Sequence, residues 1–116
     1  MGGRLALQTA FSSSDDLDQF DVLATWSAAL QGVDLFRECP VLFDAARVNS
    51  RLRLFYVRCE NDERYRNYRL DKLNRLFTDG LNDLGIRCNV EYRPGPHSWL
   101  YWNEELEVFL PLMPAH

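Results

Sequence analysis

The sequence predicts an α/β domain in which parallel strands are flanked by helices. Leu52 to Cys59 contains the apolar run Leu54, Phe55, Tyr56 and Val57, as expected of a strand covered by helices on both faces. Cys88, Val90 and Tyr92 alternate with Asn89, Glu91 and Arg93, the period-two pattern of a half-exposed strand at a sheet edge. Between them Leu70, Leu73, Phe77, Leu81 and Leu84 recur at helical spacing, and Gly85 suits the C-terminal cap. Strand, helix and strand of these lengths form a right-handed crossover that returns the chain parallel to its start.

The remaining elements follow in order. Leu5, Leu7, Ala10 and Phe11 form a short apolar face on a helix from about Gly3 to Ser12, ended by Ser13 and Ser14. Asp15 to Gln19 reads as an acidic surface turn, and Val22 to Trp26 as a compact strand rich in β-branched and aromatic residues. Gln31 to Asn49, with Gly32 and Pro40, suggests a loop with a helical turn near Pro40 to Arg47. A final helix is expected from Trp99 to Met113, with Trp99, Trp102, Leu106, Phe109, Leu110 and Met113 on one face and Pro111 and Pro114 at its end. The three strands should therefore lie in the order Val22 to Trp26, Leu52 to Cys59, Cys88 to Arg93.

Composition narrows the functional classes. The 116 residues, 47% hydrophobic and 26% charged, suit one soluble globular domain or part of one. Thirteen Lys and Arg are mixed among seventeen Asp and Glu for a net charge of −4, which argues against a general nucleic-acid binder. Arg64, Tyr65, Arg66, Asn67, Tyr68 and Arg69 interleave basic and aromatic side chains. At the start of a predicted helix they spread around the cylinder and form no stripe. Cys39, Cys59 and Cys88 are odd in number and lack CxxC spacing, so neither a disulfide framework nor a metal site is expected. Cys59 and Cys88 read as small buried hydrophobes on strands. No apolar run reaches membrane-spanning length, Leu5 to Phe11 is too short for a signal core, and Ala6 stands where myristoylation needs Ser or Thr. These observations lead to an expectation of a reducing, cytoplasmic location without membrane contact.

One histidine stands out. Pro94, Gly95, Pro96, His97, Ser98 and Trp99 place an imidazole in a turn-prone loop after the last strand. Chemistry in α/β proteins gathers at the carboxyl end of the sheet, and an unperturbed pKa near 6.5 suits proton transfer. A loop histidine also serves as a solvated or capping residue. The other histidine, His116, is terminal.

The ending PGPHSWLYWNEELEVFLPLM resembles the C-terminus of the esterase branch of the α/β-hydrolases that includes feruloyl esterases, S-formylglutathione hydrolases and enterochelin-esterase-like proteins. Those chains close with a pattern near PGGHxWxxW and a helix ending in FLP. Leu52 to Cys59 followed by Glu60, Asn61 and Asp62 looks like their penultimate strand and its acid turn, in the family order of acid before base. Met1, Gly2, Gly3, Arg4, Leu5, Ala6 and Leu7 resemble the residues after the nucleophilic serine in the elbow motif GxSMGGxxAL. The resemblance spans nearly the whole chain and is weakest from Gly32 to Asn49.

It implies a partial α/β-hydrolase fold: the C-terminal portion of such a domain, opening inside the nucleophile motif, with the nucleophile-bearing half absent. His97 would be the base and Asp62 the acid, close together near the N-terminus of the first helix, with the Met1 amide as one oxyanion donor. At a chain start Met1 would instead carry an α-amino group. Asp62 could equally be a helix N-cap for the segment near Glu63. Phe36 and Phe43 are candidates to line a substrate pocket or to pin their loop to the core. Trp99, like Trp102, either packs the last helix or reaches the pocket. The strand Val22 to Trp26 ends in the family at a structural serine, here Ser27, with no GxSxG around it.

Two positions depart from the pattern. Cys59 stands where the family has Gly, and Pro96 replaces the Gly before the histidine, which drives Gly95 towards extended geometry. The implied function is hydrolysis of a small-molecule carboxylic ester once the fold is completed, with no cofactor. The alternatives are a non-catalytic remnant or interaction domain, and a subunit completed by another chain. Self-association through an exposed sheet edge is expected if the preceding strands are missing.

Overall fold

The computed structural model describes residues 2–61, 64–65, 67–93 and 110–113. Helix α1 spans Gly2–Ala10 and buries Leu7, Ala10 and Phe11. Leu5 was expected on the same face but is 65% exposed. Two residues from Leu7 on a 3.6-residue period, it points to the far side of the cylinder. The expected acidic turn is a short helix, α2, Ser14–Leu17. Ser13 caps it by accepting from the Asp16 amide, while the Asp16 carboxylate accepts from the Ser12 and Ser13 hydroxyls. These bonds hold the Asp16 carboxyl below its usual pKa. Leu17 is buried in the core, which an entirely surface turn would not permit.

Strand β1, Val22–Trp26, runs parallel to β2, Leu54–Glu60, with Val22 opposite Leu54 and Trp26 opposite Arg58. Strand β2 is also parallel to the third long strand, Asn89–Arg93, labelled β5 because two short strands intervene. Spatial and sequence order agree, with β2 in the middle. Every residue of β2 is buried, which accounts for its lack of clean alternation. Phe55 and Val57 join the main core with Leu7, Phe11, Leu17, Phe77 and Leu81, while Leu54 and Tyr56 pack with Val22, Ala24 and Trp26 on the other face. Strand β5 is an edge strand among the described residues, with Asn89 and Val90 exposed and Glu91 and Tyr92 partly buried.

The connection from β1 to β2 contains helix α3, Leu35–Glu38, a 3-10 turn, Pro40–Phe43, and helix α4, Ala45–Arg51. Asp34 and Asp44 cap the two helices by accepting from the Arg37 and Arg47 amides. Asn49 of α4 then ties this connection to the approach of β5. Its amide donates to the Gly85 carbonyl at 2.8 Å, and its side-chain oxygen accepts from the Arg87 amide at 2.8 Å.

After β2 the helical expectation for Arg64 to Arg69 is overturned. Strands β3, Arg64–Tyr65, and β4, Tyr68–Arg69, pair antiparallel as a small hairpin. Tyrosine favours extended chain, and a two-residue connection suits a hairpin. Helix α5, Leu70–Asp83, therefore starts at the first leucine of the periodic run. It ends as that run implied. Gly85 takes φ +83°, the Ile86 amide bonds to the Leu81 carbonyl, and the Gly85 amide bonds to that of Asn82, a Schellman cap.

The expected final helix falls largely outside the described residues. Its end, Leu110–Leu112, is a 3-10 turn, not the α-helix that was to carry Leu110 and Met113 on one face, and Leu110, Leu112 and Met113 are exposed. Pro111 supplies no amide to an α-helical ladder, and the tighter turn tolerates it.

Candidate active site at the carboxyl ends of the strands

The parallel register brings three chain exits to one end of the sheet. Strand β1 leaves at Trp26, β2 at Glu60 and β5 at Arg93, and Glu60 and Arg93 are Cα partners. The N-terminus of α1 reaches the same end. A Cβ added at Gly3 would meet the Ala28 Cβ at 3.0 Å and the Thr25 Cβ at 3.3 Å, so glycine lets the helix settle against the exit of β1.

That exit bends sharply. Ser27 has φ +53°, a left-handed conformation that costs a non-glycine residue of order 1 kcal/mol. Its amide holds the bend by donating to the Arg58 carbonyl at 2.7 Å. The chain then passes beneath α5 through buried Ala28, Ala29 and Leu30. Asn74 of α5, fully buried, donates to the Ala28 carbonyl at 2.9 Å and to the Leu70 carbonyl at 2.8 Å. The Asn74 Oδ1, Thr25 Oγ1 and Ser27 Oγ atoms have no hydrogen-bond partner among the described residues.

Charged groups are buried at this end as well. Arg58 and Glu60 share a face of β2 at 1% and 7% exposure, and both engage neighbouring groups. At the start of α5, Arg69 grips Asp71 with two bonds, Nε to Oδ1 at 2.9 Å and Nη2 to Oδ2 at 2.8 Å. One turn on, Arg75 donates from Nη2 to Asn61 Oδ1 at 3.0 Å and lays its Cζ 3.8 Å from the centre of the Tyr92 ring. Burial pushes the Tyr92 hydroxyl pKa up, while its 3.4 Å contact with Thr78 Oγ1 and the nearby Arg75 oppose that shift.

Of the residues the sequence singled out, Asp62, His97, Met1 and Trp99 lie outside the described residues. The structure describes the strands that precede Asp62 and His97, Leu54–Glu60 and Asn89–Arg93. Phe36 belongs to another part of the fold: its ring packs on Phe77 at 5.6 Å and over Gly80 of α5. It also lines an apolar cavity of about 180 Å³ with Leu30, Val33, Leu73 and Leu76. Phe43 is largely exposed.

All three cysteines are thiols free of disulfide bonds. Burial pushes Cys88 up to about 12, and burial with the Glu38 charge raises Cys39. Cys59 is buried in β2, as expected, whereas Cys88 is only partly buried and precedes β5 by one residue. Among the described residues no cluster of His, Cys, Asp and Glu could hold a metal ion, and no helix is long and apolar enough to cross a membrane.

Sequence reading did not single out Asn74 or Arg75. Asn74 carried a faint signal, a polar residue four positions after Leu70 on the apolar side of the predicted helix. Arg75 carried none, because its partners Asn61 and Tyr92 lie on other elements. No family model matches the chain, and no curated protein matches it.

Proposed function

We propose that the chain is the C-terminal portion of a serine-dependent carboxylic-ester hydrolase, with Asp62 as acid and His97 as base. The observation that carries this reading is the parallel pairing of β2 and β5 with Glu60 opposite Arg93. Asp62 follows β2 by two residues and His97 follows β5 by four, so both turns leave neighbouring strands at the same end of the sheet. The N-terminus of α1, packed beside the exit of β1, supports a role for the Met1 amide as an oxyanion donor.

On this reading His97 accepts the proton of a serine hydroxyl as the oxygen attacks the ester carbonyl, and returns it to the departing alcohol. Asp62 holds the imidazole in the required tautomer and stabilises its cation. Water then repeats the cycle and frees the acid. A cysteine nucleophile fits less well. Cys59 is buried, and the raised pKa values of Cys39 and Cys88 keep both as thiols at neutral pH, whereas thiol catalysis needs the thiolate. The substrate class is a small-molecule carboxylic ester, and self-association through the outer edge of β1 belongs to the same proposal.

The test expresses the chain joined to an upstream segment ending in Gly, a variable residue and Ser directly before Met1, and follows hydrolysis of a short p-nitrophenyl ester. Turnover should appear in that protein, fall by at least about 10³-fold in its Asp62→Asn and His97→Ala forms, and be absent from the 116-residue chain. A folded but inert extended protein, or His97-dependent turnover by the 116 residues alone, refutes the proposal.

A further inference from the structure

We propose that Arg75 is a positioning residue that couples the turn after β2 to the carboxyl end of β5. A single guanidinium joins two elements. In its plane it donates to Asn61 Oδ1 at 3.0 Å, and Asn61 directly precedes Asp62. With its face it stacks on the Tyr92 ring at 3.8 Å, and Tyr92 lies in β5, two residues before Pro94. The third element is α5, which carries Arg75 and is held at its second turn by the Asn74 bond to the Ala28 carbonyl. Thr78, one turn beyond Arg75, meets the Tyr92 hydroxyl at 3.4 Å. The ring is thus engaged at its face and its tip from one helix.

The geometry calls for arginine in particular. A guanidinium donates in its plane and stacks through its face, so both contacts coexist. A lysine ammonium is a point charge and cannot serve both directions with one planar group. Strands β2 and β5 are already joined by their ladder up to Glu60 and Arg93, and Asn61 lies one residue beyond it. Arg75 restrains Asn61 against the second strand. Its bearing on Asp62 and His97 rests on the hydrolase reading, whereas the coupling itself belongs to residues the structure describes.

The experiment is solution NMR on the 116-residue chain, with amide hydrogen exchange at residues 60–62 and 91–93 and the Tyr92 ring resonances as readouts. Arg75→Leu is expected to speed exchange at both segments on the order of tenfold, from the combined loss of a charge-assisted hydrogen bond and a cation–π contact. Arg75→Lys should leave the 60–62 segment fast, and Tyr92→Phe, which keeps the ring face and loses only the hydroxyl contact with Thr78, should leave exchange at residues 60–62 as in the parent. Asn61→Ala, at an exposed position, should shift the Tyr92 ring resonances in the parent chain and leave them unmoved in the Arg75→Leu background. Loosening of only one segment in Arg75→Leu, or an Asn61→Ala shift that persists in that background, overturns the proposal. If Arg75→Leu fails to fold, the Asn61→Ala shift is read in the Arg75→Lys background, where its persistence at full size also overturns it. No arm uses ester turnover, so failure of the hydrolase reading and failure of the coupling are separate results.

Discussion

Replacing Asn74 with alanine should remove more stability than its modest size suggests. The side chain is fully buried and donates two hydrogen bonds, one to Ala28 in the exit loop of β1 and one to Leu70 within its own helix. Each bond contributes about 1 kcal/mol net. The Leu70 carbonyl lies within helix α5, where main-chain bonding continues. Among the described residues the Ala28 carbonyl has no such substitute, and a buried polar group stripped of its donor costs about 1–3 kcal/mol. Alanine recovers about 0.6 kcal/mol through helix propensity. The balance is a loss of about 1.5–3.5 kcal/mol, a large part of the roughly 5–15 kcal/mol that holds a domain together.

Urea unfolding followed by tryptophan fluorescence measures that loss as a fall in midpoint at unchanged m value. Asn74→Asp adds a pH signature. A carboxyl at this site is desolvated and faces carbonyl oxygens, so its folded pKa rises above the unfolded value near 3.9. The unfolded chain therefore releases its proton first. Stability relative to the parent is best below about pH 4 and declines as pH rises through the folded pKa. An Asn74→Ala chain within about 0.5 kcal/mol of the parent, or an Asn74→Asp chain whose deficit is the same at pH 4 and pH 7, refutes the account of α5 pinned through Ala28.

Two further substitutions probe packing and burial. A Cβ at Gly80 would lie 2.5 and 2.7 Å from Phe36 ring atoms, so Gly80→Ala should destabilise the parent by about 1 kcal/mol, overpacking outweighing the helix propensity of alanine. In a Phe36→Leu background the same change should turn stabilising by a few tenths to about 1 kcal/mol. A stabilising effect in both backgrounds sinks the ring-on-glycine account, and chemical denaturation decides it. Cys88, with its folded pKa raised to about 12 by burial, favours the folded state below the unfolded thiol pKa near 8.5, and that contribution is lost as pH rises through the folded value. Denaturation midpoints should therefore fall between pH 8.5 and 10.5 more steeply for the parent than for Cys88→Ala, and equal slopes would contradict the cause assigned to the shift.

The crossover was legible because its signals are local. The leucine and phenylalanine spacing from Leu70 to Leu84, ending at Gly85, specifies an amphipathic helix and its stop through chain geometry alone. The apolar run in β2 and the alternation in β5 distinguish a covered strand from an edge strand before any partner is known. Leu5 falls off the buried face because residues two apart on a helix lie on opposite sides of the cylinder, so Leu5 and Leu7 cannot share it. At Arg64 to Arg69 a short basic and aromatic run satisfies either helix or strand geometry, and only pairing across the turn decides for the hairpin.

By itself, the sequence determined the class of fold, the three strands and their parallel order, the cap of α5, and the histidine and aspartate worth testing. Hydrophobic period and turn chemistry are properties of a few neighbouring residues, so they can be read in one dimension. Only the tertiary structure decided that Asn74 holds α5 to the exit of β1, that Phe36 sits on Gly80, and that Arg75 meets both Asn61 and Tyr92. Those contacts join residues from separate elements through hydrogen bonds and stacking with ångström tolerances, and such geometry exists only once the sheet has set the distances between them.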